Sequence, residues 1–445
     1  MKRVLFLAYL FPPIANSGTQ RPLKFVKYLS QYGWQPTVVT AAHADGHRVD
    51  AEMLADIPAG VPVVRVPMVN EQVREVIRRV TGGTRFGARL AEGVSWRLRE
   101  QFRKPDLYAL WRPTARRAAL RLMRESHYDA IYATGFPWTT LLIGRDLSLV
   151  TGRPLVADFR DPWAGEDLFR SERPPNDEER ALERRVVEHA ASVVTVATTM
   201  TKRMVAAYPD QDAAKFVTIH NGFDPADLGR PEPSPHARFR IVFAGVWKEG
   251  YNPSPLYDVI EWLKRSHPEL LTNVEVMAAG FEPGEASRRG LTEHITEVGV
   301  LSHQDAVSLM HSADVLFLTN GDGARQQLGL PGKMYEYLAT GRPVLALTHP
   351  DGDAGRIIEQ VGGGVAVSQE DPGVLLEVIT NACRTRRLAT PPLNRDALAA
   401  FERPNLTRRL ASLFDEVTSQ TAAPAPHTAR TTSAGLAPGA VTHSS

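Results

Sequence analysis

The chain has 445 residues, 43% of them apolar and 23% charged, with a formal net charge of +2. That length points to two or three domains, the composition is that of a globular protein, and the near-balanced charge excludes the strong positive field of a nucleic-acid binder. The single cysteine, Cys383, excludes a disulfide within the chain and a thiolate zinc site, and favours a reducing compartment.

The opening "MKRVLFLAYLF" sets two basic residues before an apolar run, as a secretory leader does. However, "PP" follows at once and no small-x-small cleavage site appears. It reads as a buried first strand, "RVLFLAY". Loop chemistry follows in "LFPPIANSGT", then helical spacing in "QRPLKFVKYLSQYG" and a second strand in "QPTVVTA". A βαβ opening implies a parallel sheet with right-handed crossovers. "YDAIYATG", "RPLVADFR", "ASVVTVA" and "FVTIHNG" continue the strands. The Pro-rich stretch "NGFDPADLGRPEPSPHARF" then reads as a linker. Beyond it the pattern restarts with "RIVFAG", "NVEVMAAG", "ITEVGV", "DVLFLTN", "PVLALTH" and "GGGVAVS".

This alternation predicts an α/β protein of two Rossmann-like, doubly wound parallel-sheet domains facing a cleft. The first covers residues 1–225, a linker 226–237, and the second 238–400. A helix over 401–418 is expected to pack back toward the first domain. The tail 419–445, made of Ala, Thr, Ser, Pro and Gly with hardly any large apolar residue, is expected to be disordered. No apolar run approaches the ~18 residues that span a bilayer.

Ligands of open α/β sheets bind beyond the carboxyl ends of the strands, so candidates are sought just after strands. In "LPGKMYEYLATG" the residues Gly332, Lys333 and Glu336 open a helix. A helix N-terminus favours phosphate, Gly332 permits close approach, Lys333 adds a charge, and Glu336 at i+3 can accept from a ribose diol. The alternative is a solvated i,i+3 pair. "FPPIANSGTQR" offers Gly18 for backbone approach and Arg21 in a first helical turn, where a cation opposes the helix dipole unless an anion is near; a plain turn would look the same. In "VADFRDPWAG" the two carboxylates of Asp158 and Asp161 stand around the one guanidinium of Arg160, ahead of Trp163, either to polarise an acceptor hydroxyl or to lock a loop. "VFAGVWKEG" adds Gly245 and Lys248. "DGD" at Asp351–Asp353 and "GGG" at Gly362–Gly364 read as turns, and no histidine has metal-ligand spacing. Between residues 71 and 125 arginines alternate with Leu, Val, Phe and Trp, as on an amphipathic surface that lies on an anionic membrane or as the solvated face of a helical excursion.

Taken in order, "FPP…SGTQRPLKFVKYL…GWQPTVVT", "PLVADFRDPW", "IHNGFD", "VFAGVW", "VGVLSHQDAVSLMHSADVLFL" and "PGKMYEYLATGRPVLAL" resemble the retaining family 4 glycosyltransferases of the two-Rossmann (GT-B) type, over about residues 1–415. The resemblance implies transfer of a sugar from a nucleotide diphosphate sugar to an acceptor hydroxyl, a lipid-linked or cell-surface glycan precursor, with retention and without a metal or other cofactor. It implies donor binding by Gly18, Arg21, Gly245, Lys248, Gly332, Lys333 and Glu336. Lys333 would hold the diphosphate, Glu336 the ribose, and Asp158 or Asp161 would be the base candidate. Arg160 and Trp163 would meet the acceptor. Nucleic acid is not expected as a partner, and the place of action would be cytoplasmic, at the inner membrane face. The family often carries a second glutamate eight positions before Glu336; here that position is Leu328. The usual histidine of the first domain is also not evident near "ATGFPWTT". A non-catalytic nucleotide-sugar-binding or scaffold protein, and an epimerase or hydrolase of the same fold, are the rival readings.

Overall fold

The computed structural model describes residues 1–43, 46–164, 177–229, 236–248, 250–321 and 329–422. Seven strands build the first sheet: β1 (Lys2–Ala8), β2 (Trp34–Ala41), β3 (Val63–Val66), β4 (Ala130–Gly135), β5 (Leu155–Phe159), β6 (Ser192–Thr195) and β7 (Phe216–Thr218). Six build the second: β8 (Phe239–Ala244), β9 (Val274–Ala279), β10 (Ile295–Glu297), β11 (Val315–Thr319), β12 (Val344–Leu347) and β13 (Gly364–Val367). Their orders are β3-β2-β1-β4-β5-β6-β7 and β10-β9-β8-β11-β12-β13, and the pairing is parallel throughout. Parallel neighbours need crossovers that cover both faces. Residues Val4 to Ala8 of β1 are accordingly all fully buried, which is why that stretch is a continuous apolar run rather than an alternating one.

The longer helices are α1 (Ser17–Tyr28), α2 (Val69–Val80), α3 (Arg85–Gln101), α4 (Arg112–Glu125), α5 (Thr139–Thr151), α6 (Asp177–His189) and α7 (Thr198–Ala207) in the first half. The second half adds α8 (Ser254–Ser266), α9 (His303–His311), α10 (Gly332–Ala339), α11 (Asp353–Val361), α12 (Pro372–Thr385) and α13 (Arg403–Ala422). Two boundaries differ from the sequence reading. Helix α1 starts three residues earlier than Gln20, because the Asn16 side chain accepts from the Gly18 N–H and caps it. Helix α13 continues four residues beyond 418, and the remainder of the expected tail lies outside the described residues. Strand β3, four residues long at the sheet edge, was not anticipated.

Helix α13 leaves the second domain and packs on the first. Its Leu406, Leu410, Leu413, Phe414 and Val417 join Val4, Phe6, Trp34 and Tyr132 in one core cluster. The two passages of the chain between domains run side by side. The Phe223 N–H donates to the Phe401 carbonyl at 3.2 Å, and the Arg403 N–H to the Phe223 carbonyl at 2.8 Å. Gly222 makes this approach possible, since a Cβ there would sit 1.9 Å from the Phe401 oxygen. Elsewhere across the cleft, Asp353 at the start of α11 accepts from the Thr199 N–H of α7 at 3.2 Å, and Leu330 packs against the cores of both domains.

Candidate active site

Both sheets reverse their strand order beside their first strand, β1/β4 in one and β8/β11 in the other, and crevices form at such switch points. Helix α10 begins at the second. Its N-cap, Pro331, offers no side-chain cap and its first turn holds no acid, so the helix dipole is uncompensated there. Gly332 is exposed and a Cβ would meet nothing, which leaves the space ahead of the helix open.

Lys333 and Glu336 are not a solvated ion pair. The Lys333 ammonium is half-buried and donates to the Ala244 carbonyl at the end of β8. Tyr337 secures the same residue: its hydroxyl accepts from the Ala244 N–H at 2.8 Å and donates to the Ala244 oxygen at 3.2 Å. Burial pulls the Lys333 ammonium below the ordinary lysine value, partly countered by the Glu336 charge. Burial also pushes the Glu336 carboxyl up, against the opposing pull of His303, Lys333 and Arg403. A cation and a carboxyl therefore stand on one turn of α10, each only partly exposed, in a recess that opens ahead of the helix. Just past β8, Gly245 is tightly enclosed: a Cβ on Gly280 would lie 2.4 Å from its carbonyl oxygen. Lys248 is exposed, with its ammonium 5.5 Å from the Tyr251 ring.

On the first domain, Gly18 is required by packing. A Cβ there would fall 2.2 Å from Nη1 of Arg160 and 2.8 Å from Leu10. Arg160 spends its donors on backbone oxygens, those of Gly18, Gly135 and Phe136, and so ties the loop after β1 to the loop after β4. Asp161 is exposed, yet enough protein surrounds it that burial raises its carboxyl, against the pull of Arg160 and, from the other domain, Lys248.

Three sequence expectations need correction. Asp158 does not share Arg160 with Asp161. It pairs with Arg21, whose Nε and Nη2 each donate to one carboxylate oxygen at 2.9 Å. Tyr132 and Thr134 donate to the same carboxylate at 2.5 and 2.8 Å. With Arg21 only 1% exposed and Asp158 fully buried, neither a free phosphate ligand nor an accessible base is left. Burial alone would raise the Asp158 carboxyl, but Arg21 and these hydrogen bonds outweigh it and hold it below the usual range. Trp163, the third case, is 1% exposed and stacks on Trp138 at 5.9 Å. The aromatic surface within reach after β4 is instead the half-exposed pair Phe136 and Trp138.

The sequence reading also missed Arg403. The residue is 6% exposed, its Nη1 has no hydrogen-bond partner among the described residues, and burial together with nearby Arg21 lowers it to about 10 while Tyr335, Glu336 and Asp224 oppose the fall. Only its place at the second domain crossing reveals it. Leu328, at the position of the family's further glutamate, lies outside the described residues. Among the described residues no group of three or more His, Cys, Asp or Glu side chains is arranged to hold a metal ion.

Residues 22–227 match the model of Glycosyltransferase Family 4, and residues 239–384 match that of Glycosyl transferases group 1. These two domains, in this order on two facing parallel-sheet units, support a glycosyltransferase of the GT-B architecture. Solved structures with the same fold include sucrose-phosphate synthase from Thermosynechococcus elongatus, with a TM-score of 0.54 at 12% identity over 94% of this chain and 97% of that one. The lipopolysaccharide outer core galactosyltransferase WaaB in its apo form gives 0.55 at 10% identity over 93% and 99%. A putative UDP-N-acetylglucosamine 2-epimerase from Listeria monocytogenes gives 0.53 at 11% identity over 94% and 98%. Identities this low speak to fold alone, whereas both family matches are to sugar transferases. No curated protein matches the chain.

Proposed function

We propose that the protein transfers a hexose from a nucleotide diphosphate sugar to a hydroxyl of a lipid-linked or cell-surface glycan precursor, with retention at the anomeric carbon. The observation that carries this reading is the recess at the start of α10, where Lys333 and the uncapped helix N-terminus meet Glu336 beside the crevice after β8. The diphosphate leaving group gathers negative charge as the sugar acquires oxocarbenium character. An ammonium and a helix dipole in a confined site oppose that charge without reorganisation and do the neutralising work that a metal ion does elsewhere. Glu336 accepts from the ribose hydroxyls; burial and Asp227 raise its carboxyl, while His303, Lys333 and Arg403 pull the other way. The exposed loop cation Lys248 meets the donor from the second domain. From the first, Asp161 is the carboxylate that an acceptor hydroxyl can reach, and Phe136 and Trp138 supply apolar surface for a sugar ring. The leaving phosphate is itself a basic group close to the acceptor proton.

The reading is tested by incubation with UDP-, GDP- and dTDP-sugars, with and without lipid-linked and free glycan acceptors. Nucleoside diphosphate release that depends on acceptor is the expected result, and binding without release assigns the chain to non-catalytic nucleotide-sugar binding. Lys333→Met should lower kcat/KM by roughly 10²–10³-fold, the usual cost of one preorganised charge-stabilising donor. Its circular dichroism should be unchanged; near-normal transfer by this variant refutes the assignment of Lys333.

A further inference from the structure

Helices α2 and α3 form an antiparallel hairpin whose second member exposes its largest side chains. The buried residues of α3 are small, Gly87, Ala91 and Ser95, with Val94 and Leu98 half-buried beside them. A Cβ on Gly87 would collide with the Thr81 side chain, and Ser95 accepts from Asn70 of α2 at 3.0 Å. Three large apolar residues face out, with Phe86 76% exposed, Leu90 45% and Trp96 64%. At 3.6 residues per turn, positions 86, 89, 90, 93, 96 and 97 fall within an arc of about 120°. Phe86, Leu90 and Trp96 thus share one stripe with Arg89 and Arg97, and Val80 at the end of α2 is also exposed, at 82%. An exposed helix normally shows the reverse pattern, and a contiguous apolar stripe on a surface marks a contact with something.

The charges say what that something is. Most basic residues of the hairpin and its exit are internally matched: Arg74 and Arg78 with Glu92, Arg79 with Glu75, Arg103 with Glu100, and Lys104 with Glu178. Arg85, Arg89 and Arg97 are exposed and have no ion-pair partner among the described residues. These three lie on or beside the apolar stripe. A second copy of the same face would set unmatched arginines against one another. An anionic bilayer instead accepts the guanidinium groups at its phosphates and the rings at the headgroup boundary, where aromatic side chains are most at home.

The hairpin is also tied to the site. Helix α2 leaves the carboxyl end of β3. After α3, Asp106 accepts from both the N–H and the hydroxyl of Thr139, each at 2.8 Å, beyond the carboxyl end of β4. The Tyr108 ring lies tilted against Tyr9, past the end of β1, with ring centres 4.4 Å apart. Both roots of the hairpin therefore sit on the edge of the first sheet that holds Gly18, Arg160 and Asp161.

We infer that the outward face of α3, Phe86, Leu90 and Trp96 with Arg85, Arg89 and Arg97, docks the first domain on an anionic membrane surface, so that the cleft opens toward acceptors held in that membrane. The inference deepens the acceptor side of the proposed function, but its test does not depend on turnover. The full-length protein is sedimented with vesicles of phosphatidylcholine alone or with added phosphatidylglycerol, while nucleotide binding is followed separately. Binding should require the anionic lipid. R89Q/R97Q should weaken it about thirty-fold, from roughly 1 kcal/mol per basic residue at an anionic surface. F86A/W96A should weaken it by a similar factor, and both variants should bind nucleotide as the parent does. No sedimentation, equal binding to neutral vesicles, or lipid-free dimers that F86A/W96A dissolves would each overturn the assignment, the last by giving the face to a second copy. Loss of nucleotide binding by the parent protein would instead count against the donor site.

Discussion

Replacement of Asp158 by Asn separates a structural carboxylate from a reacting one. Arg21 and Asp158 meet through two contacts of 2.9 Å with almost no solvent exposure on either side. Removing one charge of such a pair leaves the other buried and uncompensated, at a cost of roughly 3–5 kcal/mol. The asparagine amide also turns a donor toward groups that are themselves donors, the Arg21 guanidinium or the Tyr132 and Thr134 hydroxyls, so the upper half of that range applies. About 4 kcal/mol is close to a thousand-fold in the unfolding equilibrium. With a urea slope of about 2–3 kcal/mol per molar for a domain of this size, the midpoint falls by roughly 1.3–2 M. Urea unfolding followed by tryptophan fluorescence reads this directly. The double replacement R21M/D158L, which removes both charges and keeps apolar volume, should recover most of the loss, because apolar substitutes for a buried pair are often near neutral. The reasoning is refuted if D158N unfolds within 1 kcal/mol of the parent while its sugar transfer is lost, since the carboxylate would then be acting on substrate.

Other outcomes follow from neighbouring contacts. His220, hydrogen-bonded to the Val196 carbonyl and lying against Phe401 at 5.4 Å, is held down to about 4 by burial. The unfolded chain takes up this proton at higher pH than the folded one. Stability should therefore fall as pH drops from about 6.5 toward 4, and His220→Gln should flatten that part of the pH–stability curve; an unchanged curve places the slope elsewhere. Gly18→Ala should cost about 1–3 kcal/mol in urea unfolding, as an overpacked site does, because the new methyl displaces Arg160 from three carbonyls at once; a neutral result shows that the loop yields. Asp353→Ala removes the cap that the second domain places on α7, worth about 1 kcal/mol. Small-angle scattering of the free protein should then report a more open pair of domains, and identical curves would show that the cap does not hold the cleft.

The fold was legible because its strands are continuous β-rich runs bounded by Gly and Pro, the signature of parallel strands buried on both faces. Strand β3 escaped because four residues at a sheet edge, of which only Val66 is buried, carry too little pattern. The position of the α10 recess was legible for a similar reason: "GKMYEY" follows a strand, and both Lys333 and Glu336 lie on the helix side that faces the crevice. Partner choice was not. Asp158 stands two residues from Arg160 but pairs with Arg21, 137 positions away, and only the register of β1, β4 and β5 brings them together. Trp163 was misread as an accessible ring because a loop tryptophan shows nothing in sequence of the Trp138 that covers it. Arg403 carries no local signal at all; its significance depends on where the chain recrosses between domains.

That recrossing bears on the order in which the molecule can form. The core around β1 is completed by Leu406, Leu410 and Phe414, residues made some four hundred positions after the strand they cover. During synthesis the first domain must therefore wait with one side of its sheet open while the second domain, whose two core clusters draw on residues 223–401, already has all of its parts. The unit that begins first is thus the unit that closes last: a chain of residues 1–402 holds every core residue of the second domain and still lacks Leu406, Leu410 and Phe414, which complete the first.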